Sequence, residues 1–211
     1  MLKRKKWAQN MNSSSLNTKL KRKSFFSQIV HSFQYSLGVI QITRTQSSEI
    51  LSTVLPTVKH AFYLASTFSN DIMMLQRKYG GYNVPNLYLK NVAENIKMFI
   101  SSIRMDENTG KKMKILIDCQ QLESGLSSSI LTEKGKIGLG YITKTWLTEL
   151  IERLQEFQLY FKFPHWSPQC KEEDTIMDIL TQRNDEIEFL KKANLCRQAC
   201  KQVYISDLYD A

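Results

Sequence analysis

The first 48 of the 211 residues contain no aspartate or glutamate, although they hold nine Lys and Arg; the first acid is Glu49. Cysteine is scarce as well. Four in the whole chain are too few for a disulfide scaffold, which makes a reducing, intracellular setting the default. No apolar run approaches the ~18 residues of a membrane span. The basic start is followed by polar residues rather than by the apolar core of a secretory signal. These absences set aside the secreted, disulfide-stapled and membrane-embedded classes and leave a nuclear or cytoplasmic protein as the expectation. What is present is ordinary globular usage, 42% hydrophobic and 23% charged. A chain of this length buries about 70% of the surface its unfolded form exposes, so its core needs no staples, and one domain is the natural expectation.

The net charge of +9 is unevenly placed. Beyond residue 48 there are twenty basic and twenty acidic residues, so the excess belongs to the N-terminal stretch. Residues 1–23 carry few apolar side chains and no amphipathic period, and are expected to form a disordered basic tail. Two clusters lie in it, Lys3-Arg4-Lys5-Lys6 and Lys19-Leu20-Lys21-Arg22-Lys23, twelve residues apart. The spacing fits a bipartite nuclear-import signal. The charge fits a non-specific nucleic-acid arm, because each phosphate neutralised releases counterions. The serines fit a transit peptide, although Arg rather than Lys would then predominate. A solvated tail with no role is the remaining reading.

Residues 24–211 read as one irregular all-α domain, so that the whole chain holds about seven to nine helices. Val92, Ile96, Phe99, Ile100 and Ile103 share one face of a helix that begins after Gly80-Gly81, with Pro85 near its first turn. Trp146, Leu147, Leu150, Ile151, Leu154 and Phe157 form a second face, capped by Thr143 or Thr145. Met113, Ile115, Leu116 and Leu122 suggest a helix opened at Asn108 or Thr109 and closed at Gly125. Further helices are expected at 24–38, 44–55, 58–68, 173–182 and 185–203. Strand signals are scarce: 135–142 reads as a short hairpin or a loop, and 161–168 as a turn-rich connector.

Little in the chain points to catalysis. His31, His60 and His165 are isolated from any Ser/His/Asp or Cys/His pattern. Cys196 and Cys200, at i and i+4, could join His165 and Cys170 around zinc, but without a Cys-x-x-Cys knuckle two small buried thiols are the better reading. Glu172-Glu173-Asp174 reads as first-turn charge on a helix. Gly135, Gly138 and Gly140 lack the Lys-Ser/Thr of a phosphate loop. No cofactor or metal is expected.

In order along the chain stand Tyr35-Ser-Leu-Gly38, Thr43-Arg-Thr-Gln46, Arg77-Lys78-Tyr79-Gly80-Gly81-Tyr-Asn-Val84-Pro85-Asn86-Leu87 and Asn95-Ile-Lys-Met-Phe99-Ile100. Thr109-Gly110, Gln120-Gln-Leu122-Glu123-Ser-Gly125-Leu126, Thr145-Trp146-Leu147, Met177-Asp178, Asn194-Leu-Cys196-Arg197 and Ile205-Ser206-Asp207-Leu208 follow. Taken together, residues 28 to 208 resemble the thumb and the helical region after it in reverse transcriptases of LINE-like, non-LTR retrotransposons. The motif at 78–87 is similar to that family's Lys-Tyr-Gly-Gly-Leu-Gly-Leu-Pro-Asn-Leu, with Tyr82-Asn83 in place of the inner Leu-Gly. Cys200 stands where the family is usually apolar. The polymerase chemistry of that family needs paired aspartates holding two metal ions. This chain has no adjacent aspartates. The resemblance therefore implies a non-enzymatic appendage that handles RNA or DNA, with palm and fingers upstream of residue 1.

The expected contacts are basic. Besides the tail residues Lys3, Arg4, Lys5, Lys6, Lys21, Arg22 and Lys23, Arg77 and Lys78 precede the glycine pair. Lys90, Lys97 and Arg104 recur every seventh residue, a spacing that drifts only about 20° per step on a helix and so makes one stripe. A helix tracking a phosphate backbone would look like this, and so would a solvated helix face. The reading is a retroelement-derived fragment with weakly specific affinity for RNA or DNA backbone, partnered by a separate polymerase palm or by itself. The alternative is a helical protein-interaction module or decayed remnant with no nucleic-acid role.

Overall fold

Capping side chains delimit most helices of this chain. The computed structural model describes residues 2–32, 37–105, 107–132, 139–161, 174–183 and 185–209, and among them there are nine α-helices and no strand. An isolated bridge pairs Thr175 with Tyr204. Thr43 opens α3 (Arg44–Ala61) with a capping box to Gln46, and Thr145 opens α7 (Trp146–Glu156) with one to Thr148. Asn86 accepts from the Tyr88 and Leu89 amides at the start of α5 (Leu87–Arg104). Gly125, at φ +65°, closes α6 (Asn108–Ser124), as its position after the last helical residue predicts. The remaining helices are α1 (Leu2–Ser13), α2 (Thr18–Ser24), α4 (Asn70–Met74), α8 (Ile176–Gln182) and α9 (Ile187–Ala199).

Contacts divide the chain into two compact units, Met1–Met98 and Phe99–Ala211, with the division inside α5 rather than at residue 23. In the first unit α1 and α2 pack against α3. The expected disordered tail is thus helical and contributes to the core: Trp7 and Ala8 are buried with Phe25, Ile29 and Leu51. Trp7 Nε1 donates to Ser24 Oγ at 3.0 Å, and its ring meets Phe25 with centroids 6.0 Å apart. One tryptophan supplies the apolar area that the composition of the segment as a whole lacks. α2 runs into a π-helical stretch, Phe25–Val30, which buries Phe25, Ile29 and Val30.

α3 also departs from expectation. Instead of separate helices at 44–55 and 58–68, a single helix continues through Pro56 to Ala61. Pro56 and Ser52, four residues before it, are both exposed, so the carbonyl that loses a donor faces solvent. After Ala61 the chain turns through Tyr63 at φ +57°. The buried Asn91 of α5 pins the 37–42 connection, donating to the carbonyls of Leu37 (2.6 Å) and Ile40 (2.7 Å) and accepting from the Ile42 amide.

The second unit is built round Phe99, Ile117, Leu147, Leu150 and Met177, each fully buried. Phe99 meets Phe161 with centroids 4.5 Å apart. Asp178 Oδ2 accepts from Thr175 Oγ1 and from the Ser127 amide, tying the start of α8 to the loop after α6. Leu139, Tyr141 and Ile142 are buried in a turn, while residues 135–138 of the expected hairpin lie outside the described residues, as does most of the 161–168 connector. Tyr141 Oη donates to the Ser124 carbonyl at 2.9 Å. Burial pushes this phenol well above the usual tyrosine range, against an opposing pull from Arg197. Folding therefore favours the protonated form, a contribution complete below the unfolded tyrosine pKa of about 10 and lost as pH rises beyond it. Thermal unfolding followed by circular dichroism should show a midpoint that falls more steeply above about pH 10 for the native chain than for Tyr141→Phe. Equal slopes would mean that Tyr141 is not the group responsible.

Candidate nucleic-acid interface

The division into units relocates the charge. Met1–Met98 holds fourteen Lys and Arg against three acids, Glu49, Asp71 and Glu94. Phe99–Ala211 holds fifteen against seventeen. Because α1 and α2 are packed parts of the first unit, the excess belongs to a folded body and not to a tail beside a neutral one.

The cations of the N-terminal clusters are not equivalent. The side chains of Lys3, Arg4 and Lys5 lie outside the described residues, while Lys6 and Lys23 are exposed. Lys21 is buried. Arg22 is committed to the fold: its Nε donates to the Ala61 carbonyl at 2.7 Å, and its guanidinium lies 4.4 Å from the Phe62 ring centroid. It caps the C-terminal end of α3, where unpaired carbonyls favour a cation. Lys21 and Arg22 are thus corrected from phosphate ligands to structural residues.

The other expected contacts fall on two features. Arg77 and Lys78 sit in a 3₁₀ turn, Arg77–Tyr79, and both are exposed; Lys78 Nζ lies 4.7 Å from the centroid of the exposed Tyr79 ring. Gly80 continues the turn at φ +82°, and a Cβ on Gly81 would overlap the Leu75 carbonyl, so both positions demand glycine. Lys90, Lys97 and Arg104 all lie on α5, as their spacing requires. Lys90 is half-buried, and Lys97 and Arg104 are exposed, with Lys97 Nζ 3.9 Å from Glu94.

Lys90 also lines a cavity of about 370 Å³ with Phe26, Val30, Val84, Pro85 and Leu89. Beside it a second cavity, of about 290 Å³, is lined by Arg44, Ser48, Leu51, Ser52, Asp71 and Tyr88. Met74 and Asn86 belong to both. Arg44 lies over Tyr88, 4.8 Å from the ring centroid. Sequence reasoning passed over Arg44 and this pair of cavities. The isolated Arg44 sits outside both basic clusters, and only packing of α3 and α4 beside the start of α5 brings it to a concave surface.

Cys196 and Cys200 are exposed, which corrects the expectation of buried thiols; His165, Cys170, Glu172 and Glu173 lie outside the described residues. Among the described residues no group of three His, Cys, Asp or Glu could hold a metal ion, and no helix is long and apolar enough to cross a membrane. Gly135 and Gly138 also lie outside them. Compared with family models, with curated proteins and with solved structures, the chain finds no match.

Proposed function

We propose that this chain is a non-catalytic, retroelement-derived fragment that binds the backbone of RNA or DNA through its first unit. The observation that carries the reading is the segregation of charge: fourteen cations against three acids within one folded body, an excess that remains when Lys21, Arg22 and Lys59, which serve the fold, are set aside. Such a surface binds polyanions by releasing counterions and reads sequence weakly. The likeness of residues 78–87 to the LINE-like thumb motif supports it. Asn83, which stands where that motif has its inner glycine, takes φ +58°, a left-handed conformation that asparagine tolerates better than most residues.

The test is salt-dependent binding of the full chain. Deleting residues 1–23 would remove Trp7 from the core, so the comparison is made by charge reversal instead. Lys90→Glu with Lys97→Glu, the two cations of the stripe that belong to the first unit, should weaken binding to single-stranded RNA and flatten the slope of log affinity against log salt by about 1.4, from roughly 0.7 per phosphate contact. An unchanged slope would remove the α5 stripe from the interface.

A second reading, a protein-interaction module, is favoured by one observation. α6 exposes Ile115, Cys119 and Leu122 at i, i+4 and i+7, a row on one helix face, and a contiguous apolar patch is a feature of association surfaces. Sedimentation of the full chain without nucleic acid separates the two: concentration-dependent association with no affinity for polyanions favours the module.

A further inference from the structure

The twin cavities of the first unit say more about the form of nucleic acid than net charge does. Each has apolar side chains in its wall, Leu51, Leu55 and Met74 in one, among polar neighbours, and Phe26, Val30 and Val84 in the other. A duplex presents phosphates and groove edges to a surface and keeps its bases stacked inside, so it has nothing to place in such hollows. Unpaired bases do, because each has a π-face and an apolar area to bury. Arg44 adds a planar guanidinium lying on Tyr88 at the first cavity, an arrangement on which an unstacked base packs. Ser48, Ser52 and Asn70 offer hydrogen-bonding groups for base edges. Asp71 discriminates further. A carboxylate lining the first cavity repels a phosphate placed there but accepts from an amino or hydroxyl group, so the base and sugar enter and the phosphate stays outside.

We propose that this groove takes two consecutive unpaired nucleotides of a single strand, one base in each cavity, with the backbone neutralised by Arg44 and Lys90. The proposal rests on the backbone-binding reading above and narrows it to single-stranded nucleic acid. The occupant is chosen by charge: within Met1–Met98 the cavities carry Arg44, Lys90 and a single carboxylate, on a body with a large cationic excess.

The experiment uses the full chain, at about 100 mM salt, with oligouridylate, oligothymidylate and a mixed-sequence duplex of equal length, followed by fluorescence anisotropy. Ser48→Leu with Ser52→Leu narrows the first cavity without changing charge; both serines are exposed on α3. The native chain should prefer either single strand to the duplex by about tenfold, and the double variant should lose about that preference with duplex binding unchanged. Equal binding of single strands by variant and native chain, or native binding of duplex as tight as of single strands, would overturn the groove proposal and leave backbone binding standing. Absence of binding to any of the three would overturn both. Circular dichroism checks that the variant is folded. Independently, an oligonucleotide carrying 4-thiouridine should crosslink on irradiation to peptides containing Tyr88 or Phe26. Crosslinks confined to residues 1–23 would also overturn the groove.

Discussion

Arg197→Ala is expected to cost the second unit about 3 kcal/mol or more, a large fraction of the 5–15 kcal/mol that holds a typical domain folded. Arg197 is buried on α9, and burial lowers its pKa without discharging a guanidinium. Nη2 donates to the carbonyls of Leu122 (2.9 Å) and Glu123 (2.6 Å), and Nε to Asn194 Oδ1 (2.7 Å). The two carbonyls end α6, where no intrahelical donor remains and the helix dipole favours a cation. Alanine leaves the Leu122 carbonyl without its partner and Glu123 with only the long bond from Gln198 Nε2 (3.4 Å), and opens a void beside Gly125, whose Cβ position is already filled by the guanidinium. Lysine should rescue only part of the loss, since a point charge cannot reproduce the planar fork. Amide hydrogen exchange should accelerate through α6 and α9. Protection equal to native in Arg197→Ala would show that the clamp contributes nothing to stability.

Trp7→Ala should cost the first unit about 3–5 kcal/mol, the usual range for truncating a buried tryptophan. Trp7 is 8% exposed, joins the cluster of Phe25, Ile29, Val30 and Leu51, and bonds Ser24. Exchange should quicken in α3, against which α1 packs. Lys6→Ala, the exposed neighbour, should change stability by less than about 0.5 kcal/mol, which separates packing from charge. If Trp7→Ala left exchange in α3 at native rates, residues 1–23 would return to being the unpacked tail that their composition suggests.

Much of the helical framework is legible in the sequence because helix ends are written in single residues. Thr145 before the Trp146–Glu156 helix and Gly125 after Ser124 are local signals, readable without knowing any neighbour. The apolar period through Val92, Phe99 and Ile103 likewise places three buried residues on one face of α5. Failures cluster where the partner is distant. The period of α6 points to Ile115 and Leu122, yet these are 60% and 68% exposed, while Gln120, Gln121 and Ser124 are buried beside Ile117. Gln121 is satisfied by the loop that follows: its amide donates to the Leu126 and Ser128 carbonyls and accepts from the Ile130 amide. A buried amide whose groups are all bonded no longer carries the desolvation cost that keeps glutamine at the surface. No count of apolar residues along α6 contains that loop.

The candidate site divides in the same way. The cationic excess of the N-terminal half and the heptad spacing of Lys90, Lys97 and Arg104 follow from residue order alone, because charge and helical angle are local quantities. Which cations remain available to a polyanion was decided by tertiary contacts. Arg22 went to the end of α3 and the Phe62 ring, Lys21 went inside, and Arg44 came to the rim of a cavity beside Tyr88. A long cationic side chain carries enough apolar stem to be buried or stacked, so its charge can serve a helix terminus as readily as a phosphate. Residue order determined that this protein is helical with a basic N-terminal stretch; packing alone made that stretch part of a folded unit and determined where the unit is concave and which of its charges face out.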